Sequence, residues 1–153
     1  MVFTLVACGG EEKASEEGNV KEINIAVSPD YPPYESLDTD GKTIVGFDAD
    51  MIALFPEYLN DGDTTYKFVW HSMSFENIVS QVQGGQVDIG VSGFTYDKSR
   101  KVAWSKPYTA TAQVAVVDKD SDIKTVKDLE GKTVAAQSGS TGEKAAKEIK
   151  DAN

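Results

Sequence analysis

The residues best able to do chemistry gather in one stretch, Val87 to Arg100, which reads VDIGVSGFTYDKSR. Arg100 follows Thr95, and Ser92 and Gly93 stand just before them in a small polar loop. A guanidinium presents a rigid fork of donors that meets a carboxylate in two parallel bonds, which an ammonium cannot reproduce. Val87 to Val91 reads as a short buried strand, and a helical turn is expected to start at Asp97 and carry Arg100. A strand end, an open loop and a helix start leave unpaired backbone N–H groups beside a cation, which suits an anion. Taken alone, a single arginine in such a place is more often an ordinary surface residue.

A second stretch repeats the design. Ser138-Gly139-Ser140-Thr141 is a small-residue loop after an expected strand, Thr133 to Ala136, and Ser140 with Glu143 forms a capping box for a helix through Ile149. That is a second anion cradle.

The elements that must position these loops follow from periodicity. Glu22 to Val27 alternates as a strand and runs into Ser28-Pro29-Asp30-Tyr31-Pro32-Pro33-Tyr34-Glu35, where the prolines forbid regular structure. Asp40-Gly41 marks a tight turn, and Asp48 is the expected N-cap of a helix with Met51, Ile52, Phe55, Tyr58 and Leu59 at helical spacing. Pro56 should kink or shorten that helix. Tyr66 to Trp70 is a second strand. Ser74 caps a helix whose Phe75, Ile78, Val79 and Val82 form one apolar face, ended by Gly84-Gly85. Strand, helix, strand, helix, strand predicts an α/β sheet with parallel neighbours, and ligands gather at the carboxyl ends of such strands. Beyond Arg100, Val102 to Tyr108 should run extended before Pro107. Ala112 to Val117 is an expected strand, and Thr125 with Asp128 caps a short helix ending at Gly131.

With 153 residues, 40% hydrophobic and 26% charged, the composition is that of an ordinary globular protein of one domain, or one and part of another. The formal net charge of −10 argues against nucleic acid, since no basic stripe exists to neutralise phosphates. One cysteine and one histidine exclude an internal disulfide and argue against a Cys/His metal cluster. No metal or cofactor is called for.

At the amino end, Met1 to Ala7 is apolar and ends in small residues, like the tail of a secretory signal peptide. Leu5-Val6-Ala7-Cys8 followed by Gly9 resembles the lipobox of bacterial lipoproteins, which implies lipidation at Cys8 and a membrane anchor. Gly9 to Asn19 is polar, charged and free of aromatics, as expected of a disordered tether. No basic segment precedes the apolar run, which points to a misplaced start or a fragment.

From about Ile23 to Ile149 the order of YPPYES, VGFDADMI, FENIVSQVQGGQVDIGVSGFTYDKSR, WSKPY and KDLEGKTVAAQSGSTGE resembles the extracytoplasmic solute-binding proteins of polar-amino-acid ABC transporters. The resemblance implies a type II periplasmic-binding α/β fold of two lobes that close on an amino acid, in a monomer that serves a permease. It divides the chain into a signal remnant and lipobox (1–8), a tether (9–20), a parallel-sheet first lobe (21–109) and an incomplete second α/β lobe (110–153). Arg100 matches the arginine that clamps the α-carboxylate. Thr95 matches a residue that contacts carboxylate and amine, and Gly93 one whose carbonyl accepts from the ammonium. Thr141 matches a second-lobe N–H donor to the carboxylate, and Gln137 a side chain that reaches the ligand's distal group. Tyr31 and Phe75 match the apolar walls, Phe75 being equally a core residue by its helix face. Ser92 and Ser28 complete the set; Ser28 stands where some relatives are acidic, which removes one argument for a strongly basic ligand. Asp97 replaces the commoner threonine. The aspartate that holds the ammonium in relatives would come after Asn153, so this piece is expected to bind weakly.

The same fold implies two alternatives to a binding protein that performs no catalysis. One is a dehydratase acting on prephenate-like or arogenate-like acids, with Asp30 or Glu35 as its acid although nothing in sequence marks them as perturbed. The other is the outer domain of a sensor.

Overall fold

The computed structural model describes residues 19–60 and 62–151; Cys8 and nearly all of the expected tether lie outside them. The centre is a three-stranded parallel sheet in the order β5-β1-β6, made by β1 (Asn19–Val27), β5 (Thr64–Ser72) and β6 (Ile89–Gly90). Parallel β1 and β5 stay in register from Asn19 opposite Thr64 to Val27 opposite Ser72. The first strand therefore starts three residues before Glu22 and takes in the last residues assigned to the tether. β6 is shorter than Val87–Val91. Only Ile89 and Gly90 pair with Ile25 and Ala26, although Asp88 and Val91 still donate their N–H groups to the carbonyls of Asn24 and Ala26 at 2.9 and 3.0 Å.

A small antiparallel sheet of β2 (Asp30–Tyr31), β3 (Glu35–Leu37) and β4 (Ile44–Val45) grows out of the proline-rich loop. The sequence predicts only an irregular loop there. The Pro32–Pro33 bond is cis, and the chain folds back so that Tyr31 pairs with Glu35.

Helix α1 runs over Phe47–Leu59, and its N-cap is Gly46 rather than Asp48. The N–H groups of Phe47 and Asp48 instead bond the carbonyls of Pro33 and Tyr34 at 3.0 and 2.9 Å. Asp48 is thereby carried inside the first turn and is fully buried. Pro56 does not end the helix, which continues to Leu59.

Helix α2 (Phe75–Gln83) starts after Ser74 as expected, but the Ser74 hydroxyl accepts from the Asn77 side chain at 2.9 Å and caps no backbone group. Its end is a Schellman motif, with Gln86 N–H on Gln81 carbonyl at 3.0 Å and Gly85 N–H on Val82 carbonyl at 3.1 Å. Phe75 and Ile78 pack on Ala26 and Val87 to form the core, with Met73, Val82 and Phe94 against it. Each such fully buried aliphatic or aromatic side chain contributes about 1.5–3 kcal/mol.

Beyond Arg100 the chain is less regular. Ala112 to Val117 and Thr133 to Ala136 form no strands; Val116 is 92% exposed and Val134 47%. β-Branched residues favour a strand only where a neighbouring strand and a face to pack on exist, and among the described residues they have neither. The capping box of Thr125 and Asp128 is present and opens a 3-10 turn, Val126–Leu129. Helix α3 (Thr141–Asp151) follows, two residues longer than expected.

Candidate functional site

The carboxyl ends of β1 and β6 lie side by side, joined by one hydroxyl. Ser92 Oγ accepts from Ser28 N–H at 3.0 Å and faces the Ser28 carbonyl at 3.2 Å and Glu35 Oε1 at 2.9 Å. After β6 burial alternates along the loop: Ser92 is buried and Phe94 half-buried, while Gly93 and Thr95 are exposed. Ser92 and Ser28, both 3% exposed, therefore stand behind the loop, whereas Gly93 and Thr95 present themselves at the edge.

Gly93 has φ +50°, and a Cβ there would sit 2.7 Å from the Tyr31 ring, so this glycine lets the ring lie on the loop. Tyr31 is stacked on Tyr34 with centroids 5.3 Å apart and leaves 47% of itself open. The side chain expected as one apolar wall is thus at the site.

No helix starts at Asp97. A single turn stands there, with Arg100 N–H on Asp97 carbonyl at 3.1 Å and Ser99 N–H on Asp97 Oδ1 at 2.8 Å. The turn is enough to aim Arg100 back at the loop, but the site lacks the helix-terminal charge expected of it. The guanidinium lies over Phe94 at 5.1 Å and Phe75 at 5.7 Å. It donates from Nη1 to Thr95 carbonyl at 3.1 Å and from Nη2 to Gly139 carbonyl at 2.8 Å. Burial lowers its pKa against the raising effect of Asp97, and arginine remains charged. Phe75, 8% exposed, is both core and floor of the arginine.

The second loop closes on the first. Gly139 abuts the backbone of Glu76, where a Cβ would come within 3.0 Å, and Gln137 donates to Asp30 Oδ2 at 2.9 Å. Lys144 of α3 meets Asp97 at 2.9 Å. Hydrogen bonds within the turn and this lysine hold the Asp97 carboxyl well below the usual range. Ser140 Oγ accepts from Glu143 N–H at 3.0 Å, and Glu143 reaches back to Gly139 N–H at 2.8 Å, one residue beyond the expected reciprocal bond. Thr141 leads α3 with its hydroxyl on Gln113 Oε1 at 3.2 Å.

Arg100, Thr95, Gly93, Tyr31, Phe75 and Gln137 are thus brought together around one edge, with Thr141 at the opposing helix end. Sequence reading passed over Phe94, Asp30 as a partner of Gln137, and the buried pair Glu35 and Asp48. For Phe94 the alternation after β6 was the available signal. Glu35 is in fact strongly perturbed: burial pushes its carboxyl up to about 8, against the lowering effect of the Ser92 bond. Trp104 packs edge-on to Phe94 and Tyr96, and His71 sits near the end of β5 with its ring nitrogen on Asn24 Oδ1 at 2.8 Å.

A parallel sheet flanked by helices, with its functional loops gathered at the carboxyl ends of its strands, has the architecture of one part of a type II periplasmic-binding protein. Residues 23–152 match the family profile of the bacterial extracellular solute-binding proteins, family 3, and the chain belongs to that family. It is 34% identical over 151 residues to the arginine-binding extracellular protein ArtP of Bacillus subtilis (strain 168), a match covering 97% of this chain and 56% of that protein. Holo ArgBP from T. maritima has 39% identity and a TM-score of 0.69, over 82% of this chain and 55% of the other. The ancestral amino acid-binding protein AncCDT-1, described as a precursor of cyclohexadienyl dehydratase, has 33% identity and a TM-score of 0.71, over 84% and 56%. The chain spans a little over half the length of these relatives.

Proposed function

We propose that this chain grips a polar α-amino acid as part of an extracytoplasmic solute-binding lipoprotein serving an ABC-transporter permease. The observation that carries the reading is Arg100, aimed at the carboxyl edge of the sheet over the stacked rings of Phe75 and Phe94, with two of its N–H donors spent on carbonyls among the described residues. The remaining donors take the ligand carboxylate, aided by Thr95 and by the N–H of Thr141. The Gly93 carbonyl accepts from the ammonium, and Tyr31 and Phe75 flank the side chain. Ser28 and Ser92 act from behind by fixing the loop.

ArtP is named as an arginine-binding protein, and Asp30 beside Gln137 puts a carboxylate where a cationic side chain would reach. A basic amino acid is therefore the favoured ligand, even though Ser28 removes one argument for a strongly basic one. Dehydration chemistry is disfavoured, because the one strongly raised carboxyl beside the site, Glu35, is only 1% exposed and cannot present its proton to a substrate. The lipid anchor rests on Cys8: palmitate labelling in a bacterial host should mark the chain and be lost in Cys8→Ser.

The site is tested by following backbone amide shifts of the chain during titration with L-arginine. Binding near about 1 mM, with shifts centred on Gly93, Thr95 and Arg100, is expected of half a clamp. Removing a charge-assisted pair costs roughly 1.5–3 kcal/mol, so Arg100→Ala should abolish measurable binding. Unchanged shifts in that variant would remove Arg100 from the site.

A further inference from the structure

Behind the loop that carries Gly93 and Thr95 lie two carboxyls that the ligand reading does not use. Glu35 of β3 is 1% exposed and Asp48 of α1 is fully buried. The Ser92 hydroxyl bonds Glu35 Oε1 at 2.9 Å, and the Tyr108 hydroxyl donates to Asp48 Oδ2 at 3.2 Å. The Gly93 N–H also donates toward Asp48. With both acids ionised, Glu35 Oε2 and Asp48 Oδ1 are buried and have no partner. Yet the two side chains are placed to hydrogen-bond each other. Two carboxylates are acceptors only, so that bond exists only if one of them holds a proton. A proton held between the two carboxyls supplies a donor that this pair of buried acceptors lacks, and orphaned buried acceptors are rare in folded proteins.

The surroundings favour keeping that proton. The charged neighbours acting on Glu35 are Asp48 and, from β2, Asp30; Asp48 is faced by Tyr108 from the connecting segment and by Glu35. All are acidic or neutral at pH 7. Burial is the largest influence on both carboxyls and raises both, carrying Glu35 from its ordinary 4.5 to about 8.

The pair also sits at a junction. Through Ser92 and Gly93 it holds the ligand-facing loop, and through Tyr108 it holds the segment that leads into the second half of the chain. Tyr34 supports the same junction through the Thr109 hydroxyl at 3.3 Å, and Tyr108 stacks on Phe47 at 5.9 Å. The geometry points to a single proton shared by Glu35 and Asp48 as the positioning element that ties the Ser92–Gly93 loop to the Tyr108 segment, so that its loss loosens both.

The sign follows from the raised carboxyl. The folded chain holds a proton that the unfolded chain gives up near 4.5, so this contribution to stability is complete below that pH and is lost as pH rises through about 8. The test uses the ligand-free 153-residue chain and carbon-13 titration of its side-chain carboxyls. One member of the pair should stay protonated through neutral pH and titrate near 8, with amide protection at Gly93 falling in the same range. Glu35→Gln, whose amide can still donate to Asp48, should abolish the step and keep Gly93 protected at alkaline pH. Should that variant fail to fold, Asp48→Asn and the wild-type titration decide the question. Ordinary titration of both carboxyls near 4 in the folded chain, or a step that persists in either folded variant, overturns the proposal. No ligand is present in this experiment, so its outcome is independent of whether Arg100 binds one.

Discussion

The Ser92 hydroxyl, 3% exposed, holds three groups in register: the N–H and carbonyl of Ser28 and the carboxyl of Glu35. Its removal strands a buried N–H and a buried carboxyl oxygen, each of which must then forgo the bonds it would make in water. Ser92→Ala should lower stability by roughly 1–3 kcal/mol, measured by urea unfolding, although the side chain lost is a single oxygen. At this scale the sequence was informative about residues that act by type. Arg100 and Thr95 draw their expected roles from the order of motifs around them, since an arginine beside a small polar loop is by itself more often an ordinary surface residue. In sequence Glu35 is a loop acid and Asp48 a helix cap, because their significance comes from facing each other across 13 positions. Burial and mutual approach are properties of the folded chain that neither residue announces alone.

The start of α1 shows how an element can be forecast correctly while its terminus is not. The apolar spacing predicts the helix, but the cap is decided by the Pro33–Tyr34 carbonyls, which take the N–H groups of Phe47 and Asp48. Gly46 makes this possible. It has φ +119°, and a Cβ would stand 2.5 Å from the Tyr34 carbonyl oxygen and 2.7 Å from that of Pro33. Gly46→Ala must either move the proline-rich loop or break the first turn, and should cost on the order of 2–3 kcal/mol. Gly41→Ala, at φ +67° with open space around it, should cost only about 1 kcal/mol, so unfolding curves of the two variants separate backbone strain from steric overlap. The parallel sheet was legible for a simpler reason: alternating strands and helices have few ways to bury their apolar faces. The same logic overreached at Ala112 to Val117 and Thr133 to Ala136, whose composition is that of strands but which find no partner among the described residues.

Across the whole molecule the loops of the two halves are held together by a short series of polar contacts: Arg100 to Gly139, Gln137 to Asp30, and Lys144 to Asp97. Of these, the last joins the turn bearing Arg100 directly to α3. The pair is exposed on the lysine side, so its attraction is screened by salt and adds little to global stability. Its effect should be local. Asp97→Asn keeps a side-chain oxygen that can accept from Ser99 N–H, but it removes the charge opposite Lys144. Amide exchange in α3 should therefore quicken in the variant while exchange in β1 and β5 stays unchanged. In the unaltered chain, raising the salt from 0.05 to 0.5 M should reproduce part of that change, because about 4 Å of Debye screening acts on the same pair. Acidification separates the two causes further. The Asp97 carboxyl is held below the usual aspartate range, so its contribution is present at neutral pH and fades only as pH falls through that lowered value. A loss of α3 amide protection already near pH 5 in the unaltered chain would remove Asp97 from this role, because its lowered carboxyl is still ionised there.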